Sequence, residues 1–98
     1  MIVQRVFHRV KPGRVGEFLD LMKSQSASAL TGPTKRTYTA HIGPSGYTVC
    51  HELEFADLAE LDQVWAAWWA DPETPVYMEK FWALVEGGGH NEVWDLQE

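Results

Sequence analysis

The chain has 98 residues, 45% hydrophobic and 22% charged, with a net charge of −6. That is ordinary globular usage, and it excludes a disordered or fibrous chain. The Lys and Arg residues are thinly spread, without the clustered basic face that a phosphate backbone requires, so no nucleic-acid partner is expected. No apolar run nears the roughly 20 residues of a membrane span, and no membrane partner is expected either. A chain this short supports one core, so residues 1–98 are expected to form a single domain. The opening MIVQRVFHRV alternates and carries charge, unlike the apolar block of a secretory signal, which points to a cytoplasmic protein. A single cysteine, Cys50, excludes an intrachain disulfide framework.

Residues 2–10 alternate, with Ile2, Gln4, Val6, His8 and Val10 on one side and Val3, Arg5, Phe7 and Arg9 on the other, which predicts a strand. Lys11-Pro12-Gly13 breaks it. Val15, Phe18, Leu19 and Met22 then follow the spacing of an amphipathic helix, with a weaker Ser/Ala-rich tail to about Leu30 and a loop at Thr31–Thr34. A hairpin is expected next, KRTYTAHI and YTVCHELEF around Gly43-Pro44-Ser45-Gly46. If those four residues are the whole loop, Tyr38 faces His51, Ala40 faces Val49 and Arg36 faces Leu53, while Thr39 faces Cys50 and Thr37 faces Glu52. Asp57, with Glu60 three residues on, has the form of a capping box and starts a second helix, on which Leu58, Leu61, Trp65, Trp68 and Trp69 share a stripe. The DPETP segment interrupts that helix. A short third helix, VYMEKFWALVE, follows; Gly87-Gly88-Gly89 ends it as a flexible connector, and His90 to Leu96 alternates as a last strand.

The order β-α-β-β-α-(α)-β describes an α+β ferredoxin-like sandwich, a four-stranded antiparallel sheet with helices on one face. Its other face would expose Val3, Phe7, Val93 and the Thr/Cys row of the hairpin. Burying two such faces against each other predicts a homodimer, a closed α/β barrel between subunits.

The stretches MIVQRVFHRVKPGRVGEFLDLM, ELEFADLAELDQVWAAWWADPE and EGGGHNEVWDL carry a resemblance to the dimeric α/β-barrel superfamily, most closely to its NIPSNAP-like branch. It spans nearly the whole chain and is specific to the fold rather than to a reaction. The chain departs from the NIPSNAP-like pattern at Val6 and His8, where Arg and Tyr are common. A sister branch, the antibiotic-biosynthesis-monooxygenase-like proteins, includes cofactor-independent oxygenases and haem-degrading enzymes. This similarity implies a pocket between helices and sheet in each subunit. It speaks against haem degradation, because the haem-degrading members carry an iron-binding histidine on the second helix, where this chain has none, and a pocket asparagine on the first strand, near whose position this chain has Val6.

The tryptophan stripe reads first as packing against the sheet, each buried indole removing on the order of 150–250 Å² from water. Its edge at Trp69, with Trp65 one turn before, would line a cavity for a flat apolar ligand. Below it, His51 and Tyr38 on the hairpin and His8 on the first strand are the candidate catalytic groups. A neutral imidazole among apolar residues is a general base for an acidic phenol or enol. Val6 beside His8 and Val49 beside His51 complete the expected substrate lining. His8, His51, His90 and Glu92 lack any metal-binding spacing, and no metal or cofactor is expected. Two functions fit: a cofactor-independent monooxygenase or isomerase acting on an apolar metabolite, or a non-catalytic dimeric binding or adaptor module. A solvent-connected cavity with a histidine on its wall would favour the first, a filled core the second.

Overall fold

The structure is a computed structural model that describes residues 1–24, 35–44 and 47–97. Its elements run β1 (Ile2–Val10), α1 (Val15–Lys23), β2 (Lys35–Thr39), β3 (Thr48–Phe55), α2 (Leu58–Ala70), α3 (Thr74–Leu84) and β4 (Val85–Asp95). The strands form one antiparallel sheet in the order β2-β3-β1-β4, with the helices packed on one face. This is the ferredoxin-like α+β arrangement. The Ser/Ala-rich tail expected after α1, the Thr31–Thr34 loop, and Ser45 and Gly46 of the turn lie outside the described residues.

Local chemistry sets most boundaries. Gly13 takes a positive φ of 79°, open to glycine at little cost, and turns the chain from β1 into α1. Asp57 Oδ1 accepts from the Glu60 amide at 2.8 Å and caps α2, occupying one of its free N–H groups. Thr74 is buried at the α2–α3 corner, its hydroxyl donating to the Trp68 carbonyl, and Pro75 occupies the first turn of α3, where no N–H is needed.

Two departures from the expected pattern matter for the site. The hairpin register is shifted by one residue: Arg36 pairs with Glu52, Thr37 with His51, Tyr38 with Cys50 and Thr39 with Val49. With β2 ending at Thr39 and β3 starting at Thr48, the connection is longer than four residues. Because side chains alternate, the slip moves the whole of β2 to the other face. Its cause is visible around Glu52, which is buried and accepts from Arg5 Nε at 3.1 Å, Tyr38 Oη at 3.0 Å and Arg36 Nη1 at 3.3 Å. The expected register would turn Arg36 and Tyr38 away and leave that carboxylate with one partner, a costly state for a buried charge.

Gly87 to Gly89 is not a connector between elements but part of β4. Val85 and Glu86 pair with Val10 and Arg9, and pairing resumes at His90 opposite Phe7, so the register shifts across the glycines. A Cβ on Gly89 would stand 2.6 Å from the Phe7 carbonyl oxygen, so this close approach admits only glycine.

The core divides in two. Val10, Phe18, Val49 and Leu84 form one cluster, with α1 and the end of α3 against it; Ile2, Leu53 and Phe55 form the other, beneath Leu61, Val64 and Trp65 of α2. Along β1, the residues between these clusters on the same face are Gln4, Val6 and His8; on β3 the intervening residue is His51. They are too polar or too small to close the gap. The opposite sheet face is not the apolar surface expected. Glu52 with its arginines and Tyr38 occupies the middle of that face, Arg36 also reaches Glu54 at 2.6 Å, and Val93 is on the helix-covered side opposite Gln4, leaving Val3, Phe7 and Trp94 as apolar neighbours.

Candidate functional site

The gap between the core clusters is a cavity of about 440 Å³, partly open to solvent, with β1 and β3 as floor and α2 and α3 as roof. Pockets of this size hold small metabolites. On its floor His8 and His51 meet edge to face with ring centroids 5.9 Å apart, and Phe81 stands 4.9 Å from His8 in the same T-shaped manner. Burial holds the His8 imidazole down at about 4. His51 is also held at about 4, by burial first and then by the repulsion that His8 and Lys35 would exert on a second positive charge. Both rings are therefore neutral near pH 7, with a nitrogen lone pair in each.

His51 is oriented by Thr37, its neighbour across the β2–β3 ladder, whose Oγ1 lies 3.2 Å from Nδ1. If Nδ1–H donates to that hydroxyl, Nε2 keeps the lone pair. The second polar group is Gln4, whose Oε1 accepts from Trp65 Nε1 at 2.6 Å while its Nε2 donates to Asn91 Oδ1 at 3.3 Å. That chain ties the indole of the roof to the floor and to β4. Above, Trp68 packs edge-on against Trp65, Trp69 and Tyr77. Burial pushes the Tyr77 hydroxyl up to about 12, so it stays a neutral donor and acceptor.

Of the residues picked out in the sequence, His51, His8, Trp65, Trp69 and Val6 all line the cavity. Two do not. Tyr38, turned over by the register shift, donates to Glu52 on the far side of the sheet, and Val49 is fully buried against Val10 and Phe18. His90 also reaches the cavity lining, with its ring stacked on Phe7 at 4.5 Å and its Nε2 3.1 Å from Glu92. Sequence reasoning missed Gln4, Lys35, Tyr77 and Phe81 in the lining. Tyr77 and Phe81 were findable, being spaced i, i+4 on a helix that must lie over the sheet.

The buried neutral histidines make a testable contribution to acid sensitivity. In the unfolded chain they bind protons near pH 6.5; in the folded chain they do so near 4. The unfolded state thus takes up more protons between those values, and stability present above about pH 6.5 is lost as the pH falls toward 4. Such a shift corresponds to on the order of 3 kcal/mol for one histidine. Urea midpoints should fall between neutral pH and pH 5, and a His8→Leu/His51→Leu variant should show a markedly shallower fall; equal slopes would refute the assignment.

An antiparallel sheet of this order, covered on one face by helices that roof an aromatic cavity, defines a ferredoxin-like α+β domain. The family model for NIPSNAP matches residues 4–88, and the chain belongs to the NIPSNAP family. No curated protein matches it significantly. Among solved structures it is similar to an uncharacterized NIPSNAP domain protein from Burkholderia xenovorans, with 18% identity, a TM-score of 0.86 and coverage of 99% of this chain and 95% of that one. A NIPSNAP family protein from Agrobacterium tumefaciens aligns with 20% identity and a TM-score of 0.84 over 99% of this chain and 93% of that one. An antibiotic biosynthesis monooxygenase aligns over 100% of both chains with 13% identity and a TM-score of 0.70. Identities this low establish the fold these proteins share. Among the described residues no helix is long and apolar enough to cross a membrane.

Proposed function

We propose that the protein binds a small apolar or aromatic metabolite between its helices and sheet, and that His51, with His8 beside it, acts on that molecule as general base in a cofactor-independent reaction of the monooxygenase or isomerase type. One observation carries this reading: an open cavity with an aromatic roof and two uncharged imidazoles on its floor. A filled core would have supported an adaptor instead. His51 Nε2 would take the proton of an enol or phenol O–H, leaving an enolate or phenolate that either gives electrons to dioxygen or is reprotonated at carbon. An imidazole held near 4 is always available at neutral pH but is a weak base, which restricts the substrate to acidic, electron-poor enols and phenols. The antibiotic biosynthesis monooxygenase among the structural neighbours lends the oxygenase form support through its fold alone. A panel of acidic phenols and quinols tests the reading by oxygen consumption, and deuterium uptake at carbon tests the isomerase form. Tight binding with neither reaction would establish the non-catalytic binding module.

The same proposal includes a cytoplasmic homodimer formed through the open sheet face. Phe7, half-buried and stacked on His90, and the exposed Trp94 supply apolar surface around the Glu52 network, and a second copy would cover both. Sedimentation at micromolar concentration should show a dimer. Phe7→Glu should dissociate or unfold it, because the new charge would enter a doubly covered strand. A folded monomer of the unaltered chain would reject the dimer.

A further inference from the structure

We propose that Lys35 makes this cavity selective for aromatic monoanions, ligands with a flat apolar body and one carboxylate or ionised enol oxygen; the inference rests on the cavity being the binding site. In a chain with 14 acidic and 8 basic residues, the cavity lining among the described residues includes no Asp or Glu. With His8 and His51 neutral and His90 in contact with Glu92, Lys35 is the one Lys or Arg side chain in that described lining. Its place follows from the register of the hairpin. Lys35 pairs with Leu53, two residues before Thr37 pairs with His51, so all four belong to the helix-covered face and Lys35 stands at the rim diagonally from His51. The charge is felt there, as it helps keep His51 unprotonated.

Among the described residues nothing else claims this ammonium. Among the described residues the carboxylates near the hairpin, Glu52 and Glu54, are engaged by Arg5 and Arg36 on the other face, and no ion pair includes Lys35. Among the described residues the interior offers neutral donors, the Tyr77 hydroxyl and an imidazole N–H, and no carboxylate. A neutral aromatic would gain only the apolar walls, whereas an anion would also gain the attraction of Lys35 and meet no repulsion. A cationic ligand is disfavoured by the same geometry. The anionic product of a proton transfer to His51 would be held by the same charge, so binding and the proposed chemistry ask for one ligand type.

Calorimetric titration with 2-naphthoate and 2-naphthamide, equal in shape and different in charge, tests this. Since Lys35 is exposed, its attraction acts through water-rich surroundings, and the acid should bind about five- to tenfold more tightly than the amide. That preference should shrink between about 0.02 and 0.5 M salt. Lys35→Met should erase it while leaving the amide unchanged, Lys35→Arg should keep it, and Lys11→Met, a change on the β1–α1 turn, should have no effect. Amide binding as tight as that of the acid would overturn the selectivity and leave the aromatic site standing. A preference that survives Lys35→Met would overturn the assignment to Lys35. Binding of neither compound would overturn both the selectivity and the site.

Discussion

Replacing His51 by alanine is expected to lower turnover of any substrate found for this protein by about 10²–10⁴-fold, the range a positioned general base contributes, while ligand affinity changes by less than about tenfold. The asymmetry arises because a base acts as the proton moves, whereas ground-state binding comes from the aromatic roof and the sheet floor. Trp65, Trp68 and Tyr77 remain in place when the imidazole is removed, as Trp65 is held by Gln4 and Trp68, and Tyr77 by Trp68 and Phe81. His8→Phe should cost less than His51→Ala, because Thr37 orients His51 alone of the two. The pH profile is a second signature: with the base held near 4, turnover should be flat at neutral pH and fall only as acid approaches that value. Unchanged turnover in His51→Ala would return the residue to the role of a buried, hydrogen-bonded core histidine.

Trp68→Ala is expected to cost roughly 3–5 kcal/mol of folding stability, and Trp69→Ala less than about 1 kcal/mol. Trp68 is 6% exposed at the junction of α2 and α3, in edge contact with three aromatic rings, and its carbonyl accepts the Thr74 hydroxyl that closes the corner. Trp69 is 58% exposed. Removing the first indole opens a large cavity beside the existing one, whereas removing the second exposes little that was covered. Small domains hold only about 5–15 kcal/mol in reserve, so Trp68→Phe offers a milder change with a measurable denaturation midpoint. Trp65→Ala should fall between the two, losing packing against Ile2, Leu53 and Phe55 and leaving Gln4 Oε1 without its donor. Equal midpoints for Trp68→Ala and Trp69→Ala would mean that α2 faces the sheet in a different phase.

The helical phase shows how far periodicity reaches. The stripe Leu58, Leu61, Trp65, Trp68 and Trp69 located the face of α2 correctly to within one residue position. Yet Leu58 is 61% exposed, Val64 takes a place in the core that the stripe omitted, and Trp68 rather than Trp65 is the buried centre. A stripe drawn on a helix has no knowledge of where the sheet ends or where a second helix crosses it. Leu58 is left exposed at the start of α2, and α3 covers Trp68 through Tyr77. Of the candidate site, the histidines were legible because an imidazole on a mainly apolar strand face is a candidate base. Gln4 was not, since a glutamine on a strand face signals nothing until its partners, Trp65 at 61 residues' separation and Asn91 at 87, are brought to it.

What the sequence by itself determined are the features encoded within a few residues: the order of elements, the Asp57 cap, the turn at Gly13, and the side of β1 that carries Ile2, Gln4, Val6, His8 and Val10 toward the helices. Each follows from alternation, helical spacing or a local hydrogen bond, and needs no distant partner. Only the tertiary structure decided the register of β2 and, with it, the contents of the cavity. Counting loop residues places Tyr38 and Arg36 over the helix-covered face; the need of a buried Glu52 for Arg5, Arg36 and Tyr38 shifts the strand by one and puts Thr37 and Lys35 there instead. Because a strand alternates with a period of two, that single step exchanges every side chain between the faces, and the charge balance that settles it is spread over three strands.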